Sequence, residues 1–192
     1  MTRTDADLVA ALRASDRTAF AELVTAWSGS MTRLAGTFVS THASAEEVVQ
    51  DTWLAVLKGL DGFAGRSAFR TWVYRILINT ARRRGAREKL TIPWTSLRPL
   101  SDDRLAIDSA PLGHQPSPEA AALTAEFRAA VTVAVTSLPI RQRAVISLRD
   151  VEDHTSAEVC ALLRISPANQ RVLLHRARAA VRTHLAEYLA TA

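Results

Sequence analysis

Few side chains in this chain have the type and spacing to carry covalent or metal chemistry. The five histidines (His42, His114, His154, His175 and His184) are scattered, and none opens a metal-ligand spacing with nearby acids. His175 and His184 stand nine residues apart and cannot share one site on a helix. Cys160 is the single cysteine, which excludes a disulfide framework or a zinc finger within one chain. Its place on the inner side of a short amphipathic segment reads as a buried structural thiol. There is no glycine-rich phosphate loop and no nucleophile elbow. The sequence therefore predicts no enzyme, no cofactor and no metal.

The chemistry that remains is that of arginine. Lys58 and Lys89 are the only lysines among 24 basic residues, and the formal charge is +5. Arginine makes planar, bidentate contacts to phosphates and base edges. The charge is also unevenly placed. Residues 1–61 carry eight acidic and five basic side chains, whereas 66–89 carry eight basic ones against Glu88 alone. Such a switch predicts two surfaces with different partners.

The elements that hold these residues are helices. The chain is 48% hydrophobic with 6% aromatics, and alanine and leucine dominate. Leu8, Leu12, Phe20, Leu23, Val24 and Trp27 form a first amphipathic stretch, with a break expected at Ser28-Gly29. Met31, Leu34, Ala35 and Phe38 carry a second. Ser44 is read as the cap of the next helix, whose stripe is Ala45, Val48, Val49, Thr52, Trp53, Val56, Leu57 and Leu60. After a loop at Phe63–Ser67, a helix over 68–85 buries Phe69, Trp72, Val73, Ile76, Leu77 and Thr80. Its opposite face carries Arg70, Tyr74, Arg75, Asn79, Arg82 and Arg83.

Residues 88–118 hold five of the seven prolines and lose all periodicity, which predicts a linker, with Trp94 and Leu97 as local docking points. Helices resume over 120–137 and 141–151. The expectation is an all-α fold of two small helical domains, 1–87 and 119–192, joined by this flexible linker. No apolar run is long enough to cross a membrane and the polar N-terminus is unlike a signal peptide, so a cytoplasmic protein without membrane insertion is expected.

Three constellations stand out. Residues 155–185 read as a helix-turn-helix: Thr155 and Glu158 form a capping box, Ile165 lies in the turn, and Ser166-Pro167 opens the second helix. Arg171, Val172, His175, Arg176 and Arg178 fall on its outer flanks, where major-groove docking would use them. A solvated arginine face on an ordinary hairpin fits the same spacing. The loop residues Phe63, Arg66 and Ser67, with Asn79 and Arg82, have the cationic and polar character that holds unstacked single strands, although a solvated arginine face over a packed core fits this pattern better. Trp72 sits on the apolar stripe, where a core role is more common. The outward face bearing Glu47, Gln50, Asp51, Leu54 and Lys58 leaves one leucine beside acids and amides, which can mark a protein contact or mean nothing.

The run Glu46-Glu47-Val48-Val49-Gln50-Asp51-Thr52-Trp53, with Phe63 to Ile76, closely resembles region 2 of extracytoplasmic-function (ECF) sigma factors. Leu138 to Arg143, Leu148 to Val151, and Leu174-His175-Arg176-Ala177-Arg178 resemble their region 4. The resemblance covers about three quarters of the chain, with both motifs in order. It implies a subunit that joins bacterial RNA polymerase core and directs it to promoter DNA. Glu47, Gln50, Asp51 and Leu54 would meet the clamp helices of the largest polymerase subunit. Phe63, Arg66, Ser67, Asn79 and Arg82 would hold an extruded −10 base, with Trp72 supporting strand opening. Arg171, Val172, His175, Arg176 and Arg178 would read the −35 element. Many such proteins have an anti-sigma partner that covers the polymerase-binding surfaces. Three positions depart from the family: Arg164 where glycine is usual, Gln170 at an apolar position, and Leu173 for a basic residue, which removes a phosphate contact. A stand-alone helix-turn-helix regulator and a helical protein-interaction adaptor are the competing expectations.

Overall fold

The structure, a computed structural model, describes residues 4–91 and 118–191. Trp94 and Leu97, and most of the expected linker, lie outside the described residues. Among the described residues every regular element is helical and none is long and apolar enough to cross a membrane.

The first break in the chain is set by backbone geometry. Helix α1 (Asp5–Arg13) opens on a capping box of Thr4 and Asp7, and Ser15 then takes a left-handed φ of 62°. Asp16 caps α2 (Arg17–Ala35) by accepting from the Thr18 and Ala19 amides at 2.9 and 3.0 Å. The break expected at Ser28-Gly29 does not occur, because α2 runs through it. One exposed glycine costs a helix only about 1 kcal/mol, and Leu23, Met31, Leu34 and Ala35 bury on either side of it.

Helix α3 (His42–Gly59) starts earlier than expected. Its cap is Thr41, whose hydroxyl accepts from the Ser44 amide at 3.1 Å, while the Ser44 side chain is buried. Helix α4 (Phe69–Thr91) follows a short 3-10 turn at Leu60–Gly62. Its first amide, Phe69 N, donates at 2.7 Å to the Asp5 carboxylate of α1, which satisfies an orphan donor and sets an anion at the helix N-terminus. The helix continues through Gly85 to Thr91, beyond the expected end, into residues expected to begin the linker. Gly85 is needed for packing: a Cβ there would lie 2.0 Å from the Phe38 carbonyl oxygen. Helices α2, α3 and α4 pack together, with α1 against α2. Phe20, Trp27, Trp53, Phe63, Phe69 and Trp72 form a connected run of ring contacts between them.

The second half comprises α5 (Pro118–Thr136), α6 (Ile140–Ile146), α7 (Ser156–Leu163) and α8 (Pro167–Thr191). The single helix expected over 141–151 changes winding after Ile146, with one π turn at Ser147–Val151. Leu138, Ile146 and Ala177 pack between α5, α6 and α8. Thr155 and Glu158 form the expected capping box at α7, and the Ser166 hydroxyl accepts from Asn169 N at 3.2 Å at the start of α8. Arg164 keeps the left-handed backbone (φ 55°, ψ 53°) that glycine would adopt without strain.

The two halves do not stand apart. Helix α7 packs on α4, and Val145, Leu148, Val159, Leu162 and Leu163 join the apolar cluster built on α1–α4. Helix α4 is therefore covered on two sides. That explains why Tyr74, expected on its polar face, is fully buried.

Candidate nucleic-acid interface

The outward face of α3 carries the first set of expected residues. Glu47, Gln50, Asp51 and Leu54 are all exposed, at helical spacings of three and four that put them on one side. Leu54 is 55% exposed. Leu57 was expected in the core stripe but is 46% exposed and adjoins Leu54 one turn on. The core stripe bends away here because Val56 and Leu60 take the buried positions. Glu47 pairs with Arg84 of α4 at 2.5 Å, and Arg84 also reaches Glu88 at 3.3 Å. The result is an apolar spot rimmed by acids on an otherwise basic molecule.

The second set lies at the α3–α4 loop and along α4. Arg66 is exposed and Ser67 half-buried, beside Gly65 at φ 65°. Phe63 packs on Phe69 and Trp72 with ring centroids 5.4 and 5.1 Å apart. Trp72 is half-buried and is part of the packed aromatic run. Arg13 of α1 ties the loop down by donating to the carbonyls of Leu60 and Phe63 at 3.2 and 2.9 Å. Between α1 and the loop is an open groove of about 880 Å³, lined by Phe63, Gly65, Ser67, Asp5 and Val9. The α1 contribution was not visible in the sequence pattern. Asn79 is exposed two turns further along α4. Arg82 is set apart from these residues: it is half-buried, donates to the Leu163 carbonyl at 3.3 Å and lies over the Phe38 ring at 5.6 Å.

The third set is on α8. Arg171, Val172, His175 and Arg176 are all exposed over its first turns, backed by Ala177 and the partly buried Leu174. Arg178 is also exposed, but its guanidinium grips Asp150 through two bonds of 2.7 and 2.8 Å. Gln170, at a position expected to be apolar, is 1% exposed and its amide nitrogen has no hydrogen-bond partner among the described residues. Cys160, expected to be buried, is only half-buried.

A fourth group, which the periodicity did not reveal, joins α4 to the second half. Glu152 is 4% exposed and accepts from Arg70 at 2.5 Å and from the Tyr74 hydroxyl at 2.6 Å. Ser30 Oγ lies 2.7 Å from the same hydroxyl. Burial first, then the Glu152 charge, pushes Tyr74 up to about 12, so it stays a donor. Glu158 accepts from the Thr71 hydroxyl while capping α7. Burial pushes the Glu158 carboxyl up, but the bonds from Thr71 and Thr155 outweigh that and hold it below its ordinary value. His154, buried against the Tyr74 ring, is held down by burial and by Arg70.

Comparison with known proteins accounts for both halves. Residues 23–91 match the family model for sigma-70 region 2, and residues 128–181 that for sigma-70 region 4. The chain is 31% identical over 184 residues to the ECF RNA polymerase sigma-E factor of Escherichia coli strain K12, covering 93% of this chain and 92% of that one. It is 30% identical over 183 residues to the RNA polymerase sigma-H factor of Pseudomonas aeruginosa, covering 92% and 91%. Among solved structures, CnrH in complex with the cytosolic domain of CnrY aligns with a TM-score of 0.59 at 24% identity, covering 94% and 96%. The sigma factor RpoE in complex with the anti-sigma factor NepR from Bartonella quintana aligns at 0.55 and 21%, covering 86% and 96%. At these identities the two structures speak for the fold alone.

Proposed function

Because this chain belongs to the ECF group of the sigma-70 family, and is an RNA polymerase sigma factor acting in promoter recognition, we propose how its surfaces divide that work. The outer face of α3, with Glu47, Gln50, Asp51 and Leu54, docks on the clamp helices of the largest polymerase subunit. The loop at Phe63, Arg66 and Ser67, with Asn79 on α4, receives an unpaired −10 base, and Trp72 supports strand opening. The α8 face of Arg171, Val172, His175 and Arg176 reads the −35 element. Binding of the unpaired strand offsets unstacking, which costs a few kcal/mol, so no nucleotide hydrolysis and no catalytic residue is required. The protein acts in the cytoplasm with its polymerase.

The observation that supports this reading is that the α3 and α8 faces are exposed, as are Arg66 and Asn79 of the loop and α4, on the modules whose sequences match regions 2 and 4. Two residues fit less simply. Arg82 is committed to the Leu163 carbonyl, and Arg178 to Asp150, so each reaches DNA only after exchanging its present partner.

The docked arrangement also bears on the reading. The −10 and −35 elements lie about 25 base pairs apart, roughly 85 Å at 3.4 Å per step. Halves joined through Glu152 and Glu158 cannot reach both. Productive binding on this reading breaks the α4–α7 contact, and core polymerase holds the halves apart. The 26 residues at 92–117 can bridge at most about 90 Å, enough for that separation. An anti-sigma partner, as RpoE has in NepR, would compete for the α3 face.

A stand-alone regulator would bind promoter duplex tightly without polymerase, and an adaptor would show no salt-dependent DNA affinity. The test is transcription in vitro with purified core polymerase on genomic fragments. The expected result is new, discrete start sites that depend on this chain. A chain that neither binds core nor moves the start sites would end this reading.

A further inference from the structure

Where α4 faces α6 and the helix-turn-helix turn, the two halves form an open cavity of about 620 Å³. Three guanidinium groups line it: Arg82 from α4, Arg141 from α6 and Arg164 from the helix-turn-helix turn. No carboxylate lines it among the described residues. Phe38, Leu163 and Leu173 supply apolar parts of its lining. Elsewhere in the interface Arg70 meets a carboxylate at Glu152, whereas Arg82 has only the Leu163 carbonyl at 3.3 Å.

Like charges placed together repel one another, most strongly where one is drawn out of water, and here Arg82 is half-buried while Arg141 and Arg164 are exposed. Arg82 registers both effects: burial first, then Arg164 and Arg141, hold its pKa below the ordinary value. Arg164 sits at a left-handed backbone position that glycine would occupy without strain, so its side chain is retained at a cost. The volume lies within the range of small-molecule sites. Guanidinium groups bind phosphate oxygens in bidentate fashion, and three of them suit a chain of phosphates better than a single one.

We propose that this cavity binds the phosphate chain of a small polyphosphorylated ligand, a nucleotide or inorganic polyphosphate. Because the cavity walls come from both halves, such a ligand stabilises their docked arrangement. Binding itself does not depend on the promoter assignments above and is measured without polymerase or promoter.

The experiment titrates the full chain with inorganic tripolyphosphate and, separately, with adenosine triphosphate, at constant ionic strength. The readouts are calorimetry and the thermal midpoint. Saturable binding is expected, with a midpoint that rises with ligand by mass action. The double variant Arg141→Gln/Arg164→Asn should lose about a hundredfold in affinity, roughly tenfold for each charge-assisted contact. Arg17→Gln/Arg182→Gln removes the same charge from exposed sites outside the cavity and should leave affinity within about twofold. Tighter binding of the nucleotide than of tripolyphosphate identifies a nucleotide as the source, and the reverse order identifies inorganic polyphosphate. Equal weakening by the two double variants, or a shift that tracks salt without saturating, overturns the proposal. So does displacement of tripolyphosphate by a short random-sequence duplex at stoichiometric concentration, since the cavity would then be reading a DNA backbone.

Discussion

The Tyr74 hydroxyl on α4 donates at 2.6 Å to the Glu152 carboxylate, which lies beyond α6 in the other half of the molecule. With Arg70 on the same carboxylate, this buried pair is the polar centre of the interface between the halves. Glu152→Gln keeps the shape and removes the charge. It should cost about 1–2 kcal/mol of stability, since Arg70 is partly exposed and recovers water. Amide exchange in residues 156–163 should quicken, while core-dependent transcription is retained. Unaltered exchange would show that apolar packing alone holds the halves together.

His154 should make that interface sensitive to acid. It is buried facing Tyr74, Arg70, Glu152 and Glu158, and its Nε2 has no hydrogen-bond partner among the described residues. Burial, then Arg70, hold it below its ordinary 6.5, so the unfolded chain takes up a proton before the folded chain does. Stability should therefore fall as pH drops below about 6.5, down to the folded value. Thermal midpoints between about pH 7.5 and 5.5 should show this loss, and His154→Gln should flatten it. A variant with the parental slope would place the titration elsewhere. Glu158 acts lower: its depressed value makes its contribution full above the ordinary carboxylate range and lost on further acidification.

Gln170 offers a gain. Its amide nitrogen is buried without a partner among the described residues, and an unmade bond of that kind costs about 1–3 kcal/mol. Gln170→Leu, similar in volume, should raise the urea midpoint by an amount worth about 1–2 kcal/mol. A lower midpoint would mean that the amide is satisfied in solution.

On α8, neighbouring arginines should separate. Arg176→Ala should weaken use of −35 sequences by about 1–3 kcal/mol, read as start-site preference on promoter variants. Arg178→Ala should mainly remove its pair with Asp150, worth roughly 0.5–1 kcal/mol of stability at an exposed position. If the two substitutions shifted promoter preference equally, Arg178 would have to leave Asp150 on DNA.

For the α3 face, Asp51→Arg reverses a charge on an exposed position and should lower core affinity by tenfold or more with the fold intact. Leu54→Ser should act in the same direction. Normal core affinity in both would move the docking surface off α3.

Local signals were legible because they need only neighbours in the chain. The Thr155–Glu158 capping box, Pro167 at the head of α8 and the buried stripe of α3 all followed from spacing. Gly29 misled because burial on both sides of it outweighs its poor propensity. Tyr74 and Glu152 were hidden for a different reason. A helix covered on two sides has no single stripe, and the second cover comes from residues some eighty positions away. Leu57 erred in the same way, since a period of 3.6 does not say how wide the buried sector is. Of the expected DNA-contacting residues, those on α8 emerged exposed as a set, while Arg82 was drawn aside by a carbonyl that no local pattern points to.

Glu158 caps α7 with one carboxylate oxygen and holds Thr71 of α4 with the other. The same side chain thus nucleates the helix-turn-helix and anchors it to its neighbour. Any change there that frees the two halves also frays the element that scaffolds sequence reading. Evolution can retune the strength of the latch cheaply at Thr71, but at Glu158 only by risking the reader itself.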